Sequence, residues 1–211
     1  MLDGKVATET KAKYTSDKTN TSAFYVKNGG ILTLIDPTIT TSGDTTSNDA
    51  SSFFGLNAAV LATSGGRVNI TGGNVTTTGS GANGVFATGE NTAINLADIS
   101  INCSGDGGHG VDATLGGSLQ LKNVDIVTFG PHGAAIATDR GSGTINAIGG
   151  TIVTYGKDSP GIYSTGAIAV RDAVIKGIGA EAAVIEGANS ITLTNTSLES
   201  GTQTTGGIMI Y

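Results

Sequence analysis

Two histidines and two carboxylates stand at comparable places in successive copies of a sequence repeat. His109, His132, Asp158 and Glu181 fall two to four residues before an apolar segment in four consecutive units. If the units stack, these side chains line one edge. Imidazole and carboxylate form the donor set of a metal centre or of a general acid/base pair. The plainer reading is a hydrated corner whose residues suit turn geometry, and a register slip of one or two residues between units would keep the four from converging.

The remaining charges offer less. Lyase chemistry would need clustered carboxylates to hold a cation and a Lys or Arg base beside them. Asp112 has Phe86 and Ile136 as its expected stacked neighbours and so stands alone. Asp139-Arg140 reads as a turn and Arg171-Asp172 follows a strand, so stacking produces no carboxylate pair. An adjacent Asp-Arg in a turn is a surface pair worth ~0–1 kcal/mol. Cys103 is the one cysteine, which excludes an internal disulfide, and a buried, inert thiol is its expected state. The sequence asks for no cofactor.

What would position these residues is the repeat itself. Anchored on the first apolar residue of each copy, it begins at Phe24, Val60, Val85, Val111, Ala135, Ile162, Ala183 and Ile208, at intervals of 36, 25, 26, 24, 27, 21 and 25. The long first interval contains "DTTSNDASSFF", residues 44–54, which reads as an inserted loop; removing these eleven residues restores 25. A second apolar segment follows in each copy (Leu32/Leu34, Val68/Ile70, Ile94/Leu96, Leu119/Leu121, Ile145/Ala147, Ile168/Val170, Ile191/Leu193). A third is centred on Ile39, Val75, Ile99, Ile126, Ile152, Ile175 and Leu198. Short period-2 segments separated by glycine pairs are strands and corners, and helix is disfavoured throughout. Three strands per coil of about 25 residues is the arithmetic of an all-β, right-handed parallel β-helix; about eight coils at ~4.8 Å each would span ~35 Å. Residues 1–22, polar and Lys/Thr-rich, read as an N-terminal arm or cap on a solenoid of residues 23–211. The chain stops inside a repeat, which reads as a piece of a longer protein.

The residue after each anchor should point outward: Tyr25, Leu61, Phe86, Asp112, Ile136, Tyr163, Val184 and Met209. Asp112 sets this phase, because a charge belongs in water. The apolar members (Tyr25, Leu61, Phe86, Ile136, Tyr163, Val184, Met209) then form a stripe longer than soluble monomers leave bare. Either it docks a protein or sugar rings, or these side chains are interior or covered by a local loop. The second strands give a polar outward column of Thr33, Asn69, Asn95, Gln120, Asn146, Ala169 and Thr192, the pattern of a solvated face.

Composition narrows the partners. The net charge of −6, with no basic stripe, argues against nucleic acid and against an anionic membrane surface. No apolar run reaches the ~18–20 residues of a membrane helix, so no membrane insertion is expected in this segment. The N-terminus lacks the apolar core of a signal peptide. Thr, Asn and Gly richness with a single cysteine favours a secreted bacterial protein.

The segments "NGGILTLIDPTITTSGD", "GANGVFATGE", "GHGVDATLGG", "AAIATDRGSG", "SPGIYSTG" and "EAAVIEGANSITLTNTSLE" resemble bacterial adhesin-like right-handed parallel β-helix repeat proteins, akin to autotransporter passengers and, in fold, to the pectate-lyase-like superfamily. The resemblance covers about residues 23–211 and implies an extracellular or cell-surface setting. It implies no single activity, since the superfamily holds polysaccharide lyases and hydrolases beside non-enzymatic surface proteins. The expectation is a non-enzymatic, adhesin-like solenoid that presents a face to carbohydrate or to a host or surface protein. A polysaccharide-active enzyme and a phage or virus fibre segment are the alternatives. Three or more carboxylates in a groove with Lys or Arg nearby would favour the enzyme.

Overall fold

The computed structural model describes residues 1–202 and 206–211, and it is a parallel β-solenoid of about eight coils. Each coil contributes one strand to each of three parallel sheets, of nine, eight and eight strands among the described residues. In every sheet a strand pairs with its equivalents in the coils before and after it, for instance Arg67–Thr71 with Ile31–Ile35 and with Ala93–Ala97.

Alternation explains the walls. Along Arg67–Thr71, Val68 and Ile70 are buried and their neighbours are not, and the same pattern recurs in Ser118–Lys122, Thr144–Ile148 and Ala167–Arg171. The inward residues form one continuous core from Phe24 to Ala183. Each fully buried Val, Leu or Ile contributes roughly 1.5–3 kcal/mol, and none of it is available to a coil without its neighbours.

The corners are set by backbone chemistry. Between the second and third strands a left-handed residue recurs at Asp36, Gly72, Asp98, Asn123, Gly149, Asp172 and Asn195. Gly, Asn and Asp are the residues that adopt this conformation at least cost. The amides also tie coil to coil, with Asn123 Nδ2 donating to Asp98 Oδ1 at 3.0 Å and Asn195 Nδ2 to Asp172 Oδ1 at 2.7 Å. At the end of the third strand the interior column reads Thr77, Cys103, Thr128. Each of these side chains donates to a carbonyl of the next corner: Ala82 at 2.7 Å, His109 at 3.3 Å and Gly133 at 2.8 Å. Cys103 thus replaces a threonine, and burial pushes its thiol up to about 11.

Residues 1–22, expected to be an arm or cap, contain three strands of a terminal coil: Leu2–Asp3, Val6–Thr10 and Lys13–Ser16, paired with the coil above. The expectation that helix is absent is corrected in the 44–54 insertion, where Asn48–Phe54 forms a helix, α1. Ser47 caps it by accepting from the Ala50 N–H, Asp49 sits in its first turn, and Gly55 closes it in the left-handed conformation.

Two strand assignments also shift. In the third sheet Ile101, and not Ile99, stands between Val75 and Ile126; Ile99 is buried at the preceding corner. In the first sheet the strand after Val111–Thr114 begins at Ile136, which pairs with Val111, so Ala135 belongs to the corner. The inward position at the start of these strands takes β-branched residues, Val60, Val85, Val111 and Ile162, and Ile136 continues that series.

Candidate functional site

The one-residue shift at Ile136 reorganises the outward face of the first sheet. The true column is Tyr25, Leu61, Phe86, Asp112, Ala137, Tyr163, Val184, Met209. Ile136, expected in the stripe, is fully buried in the core. Leu61 and Phe86 do point away from the core, but they are buried too, in a separate cluster with Ala58 and the half-buried Tyr25. Their cover is the insertion. A Cβ placed on Gly55 would lie 2.6 Å from Leu61 Cδ1 and 2.7 Å from Phe86 Cγ, so the end of α1 lies directly on both side chains. Val184 is buried, while Tyr163 and Met209 are partly exposed. The continuous bare stripe therefore does not exist: a roof covers one half, and a partly open trough follows it.

Asp112 sits where the roof ends, and it does not stand alone. Asp139, two residues after Ala137, shares its outward side. The Asp139 N–H donates to Asp112 Oδ1 at 3.3 Å, and Asp139 Oδ2 meets His109 Nε2 at 2.9 Å. Ligand atoms of His109, Asp112 and Asp139 all lie within 4.8 Å of one another. Asp112 is fully buried, His109 nearly so, and Asp139 opens to the trough. Among the described residues Asp112 Oδ2 has no hydrogen-bond partner, and His109 Nδ1 makes no well-formed hydrogen bond, although the Ala134 carbonyl acts on the ring. This cluster escaped the sequence reading, because anchoring the fifth coil on Ala135 set Ile136 beside Asp112 and removed Asp139 from its neighbourhood.

The electrostatics of the cluster follow from burial. Desolvation, and then the Asp139 charge, raise the Asp112 carboxyl well above the usual carboxylate range; His109 pulls it the other way. For His109, burial opposes the charged ring. The Asp139 charge and hydrogen bond, with Asp112 and the Ala134 carbonyl, outweigh it and push the imidazole up to about 9.

Several contacts hold the cluster against α1. The His109 backbone N–H donates to Asn83 Oδ1 at 2.8 Å, and Asn83 Nδ2 donates to the Ser51 carbonyl at 3.2 Å. Thr114 Oγ1 reaches the Phe53 carbonyl at 2.9 Å and Thr88 Oγ1 at 2.8 Å. Arg140 lies over the Phe53 ring, 4.7 Å from its centroid.

The corner residues singled out from sequence divide into two positions. His132 and Asp158 are exposed; His132 Nδ1 contacts Asp106 Oδ1 at 2.8 Å, and its Nε2 is 4.0 Å from Asp158 Oδ2. His109, His132 and Asp158 nevertheless line one cavity of about 190 Å³, together with Ser52, Asp139, Pro160 and Tyr163. Glu181, buried and engaged, lines the adjoining cavity of about 390 Å³ with Val184, Met209 and Tyr211. The two cavities share Asp158, Pro160 and Tyr163, so they form one trough along the solenoid axis. The Tyr163 hydroxyl donates to the Glu186 carboxylate, and burial followed by that carboxylate raises its pKa.

Two other features are less suited to a ligand. An apolar hollow of about 500 Å³ lies on the far side of α1, between Tyr25, Leu61 and Phe54. Its amides are already engaged, Asn57 with Gly43 and Thr21, and Asn20 with Thr46. On another corner Phe129 and Tyr155 are exposed and stack at 5.3 Å, 7° from parallel, so each ring gives one face to the other. No family model, curated protein or solved structure matches this chain. No helix among the described residues is long and apolar enough to cross a membrane.

Proposed function

We propose that this chain is a non-enzymatic, adhesin-like surface or secreted solenoid that binds carbohydrate in the trough running past Tyr163. The observation that carries the reading is the pairing, in one open groove, of a half-exposed aromatic ring with exposed hydrogen-bonding groups, His132 and Asp158, and with Asp139 at its floor. An aromatic body with convergent polar groups is how proteins hold small polar ligands. Sugar hydroxyls would donate to the carboxylates while a pyranose face packs on Tyr163.

Charge selects among glycans. Asp139, Asp158, Glu181 and Glu186 surround the trough, and the chain carries −6 overall. Neutral or amino sugars suit this potential, and polyuronates are repelled. The groove does hold several carboxylates with Arg140 nearby, the arrangement expected of an enzyme. Two facts weigh against that reading: Asp112 is sealed from the trough, and Arg140 is held over Phe53.

Glycan-array screening of the purified chain, with a parallel assay for new reducing ends and unsaturated products, tests the proposal. Binding to neutral or amino glycans without product is expected. Turnover, or binding confined to uronates, would overturn it.

A further inference from the structure

The geometry points to a divalent metal site formed by His109, Asp112 and Asp139, with zinc as the best-suited ion. The inference is independent of what the trough binds.

Among the described residues Asp112 Oδ2 is fully buried with no hydrogen-bond partner, and Asp112 belongs to a set of three residues whose ligand atoms lie within 4.8 Å of one another. A buried carboxylate oxygen with no donor costs several kcal/mol unless something positive faces it. Arg140 is held over Phe53, and His109, the one basic side chain of the set, is turned through Nε2 to Asp139. A divalent ion bound to the ionised carboxylates of Asp112 and Asp139 would satisfy the orphaned oxygen.

Two ligands bound to one zinc at ~2.0–2.1 Å are separated by about 2.9–3.3 Å for angles between 90° and tetrahedral. His109 Nε2 and Asp139 Oδ2 are 2.9 Å apart, inside that window. Asp112 completes the set by a side-chain movement of up to about 1.5–1.9 Å, the difference between 4.8 Å and a ligand separation in zinc sites.

His109 and Asp112 flank the start of Val111–Thr114, and Asp139 follows Ile136–Thr138 in the next coil, so the ligands stand on paired strands. The Asn83 bridge from Ser51 to the His109 backbone and the Asp139 N–H on Asp112 Oδ1 restrain them further. Asp139 lines the trough, which supplies an entry path and room for a water as fourth ligand.

The donor chemistry names the metal. One imidazole with two carboxylates suits zinc, and manganese next; calcium takes 6–8 oxygens and is poorly served. The bound ion would clasp the coil of Val111–Thr114 to the coil of Ile136–Thr138 at the edge of the roof.

The test uses the whole chain stripped with a chelator and titrated with Zn²⁺, Mn²⁺ and Ca²⁺ by calorimetry, with thermal unfolding recorded in parallel. One Zn²⁺ per chain is expected, with a raised unfolding midpoint, weaker Mn²⁺ binding and no Ca²⁺ response at equal concentration. Asp112→Asn and Asp139→Asn should each weaken Zn²⁺ by at least ~10-fold. His132→Gln, which alters the exposed histidine, should leave Zn²⁺ binding unchanged. Should the cluster variants fail to fold, Co²⁺ bound to the unmodified chain reports directly, through the intense visible bands of a four- or five-coordinate ion. A chain that takes up no Zn²⁺, a loss of binding in His132→Gln with retention in Asp112→Asn, or a weak octahedral Co²⁺ spectrum would each overturn the assignment.

Discussion

The outward column of the first sheet has two halves with similar side chains and different fates. From Tyr25 to Phe86 it is apolar and lies under α1; from Tyr163 to Met209 it is again largely apolar but borders an open trough. Asp112 stands at the seam, sealed on the roofed side and joined through Asp139 to the open side. A column's chemistry therefore does not decide its exposure. In a solenoid each coil sees only its neighbours, so a single insertion can turn one stretch of surface into a second core and leave the next stretch open.

The contrast breaks most sharply at Phe86. Phe86→Ser should cost ~3–5 kcal/mol, the range for emptying a fully buried aromatic position, whereas Tyr163→Ser at the half-exposed equivalent should cost less than ~1 kcal/mol. Denaturant unfolding of both variants measures the difference, and equal losses would erase the distinction between roof and trough.

The roof can be lifted more gently. Gly55 has φ 71° and no space for a Cβ against Leu61 and Phe86. Gly55→Ala should cost ~1–3 kcal/mol and speed amide exchange in 48–58 ahead of the coils beneath. Uniform exchange along the chain would mean that α1 and the coils unfold as one unit. Thr114→Val removes the hydroxyl that holds the Phe53 carbonyl. About 1–2 kcal/mol should be lost by thermal melting, with the same exchange signature and glycan binding retained.

The seam should respond to pH. His109 is raised from 6.5 to about 9, so the stability it contributes is complete below pH 6.5 and lost as pH rises through about 9. Asp112 is also raised, so the stability tied to its neutral form is lost as pH rises from the ordinary carboxylate value through the raised folded one. In chelator-containing buffer the unfolding midpoint should fall between pH 6 and pH 9.5, and His109→Gln should flatten that slope. A midpoint that rises over this interval would contradict the coupling of His109 to Asp139.

Much of the solenoid was legible from alternation. The second strands were registered correctly throughout because two large aliphatic residues, two apart, mark the inward face in nearly every coil. Where side chains were small or doubled, register slipped: Ala135 resembles a strand start but lies in the corner, and Ile99 and Ile101 are both buried, so hydrophobicity cannot choose between them. The candidate site depended on the first of these slips, since one residue decides whether Ile136 or Asp139 approaches Asp112. The helix left a signal, Ser47 and Asp49 before it and Gly55 after it, inside a segment defined only by its excess length. What the roof covers could not be read from a pattern, because α1 meets the coils through tertiary contacts alone.

The division of that column is tested most directly by titrating the glycan selected on the array against the unmodified chain and against Tyr163→Ser, with unfolding followed on the same samples. The account predicts a Tyr163→Ser chain that melts close to the unmodified one and binds at least ~10-fold more weakly, a loss of ~1.4 kcal/mol. Full affinity in that variant, or a variant that no longer folds, would contradict it.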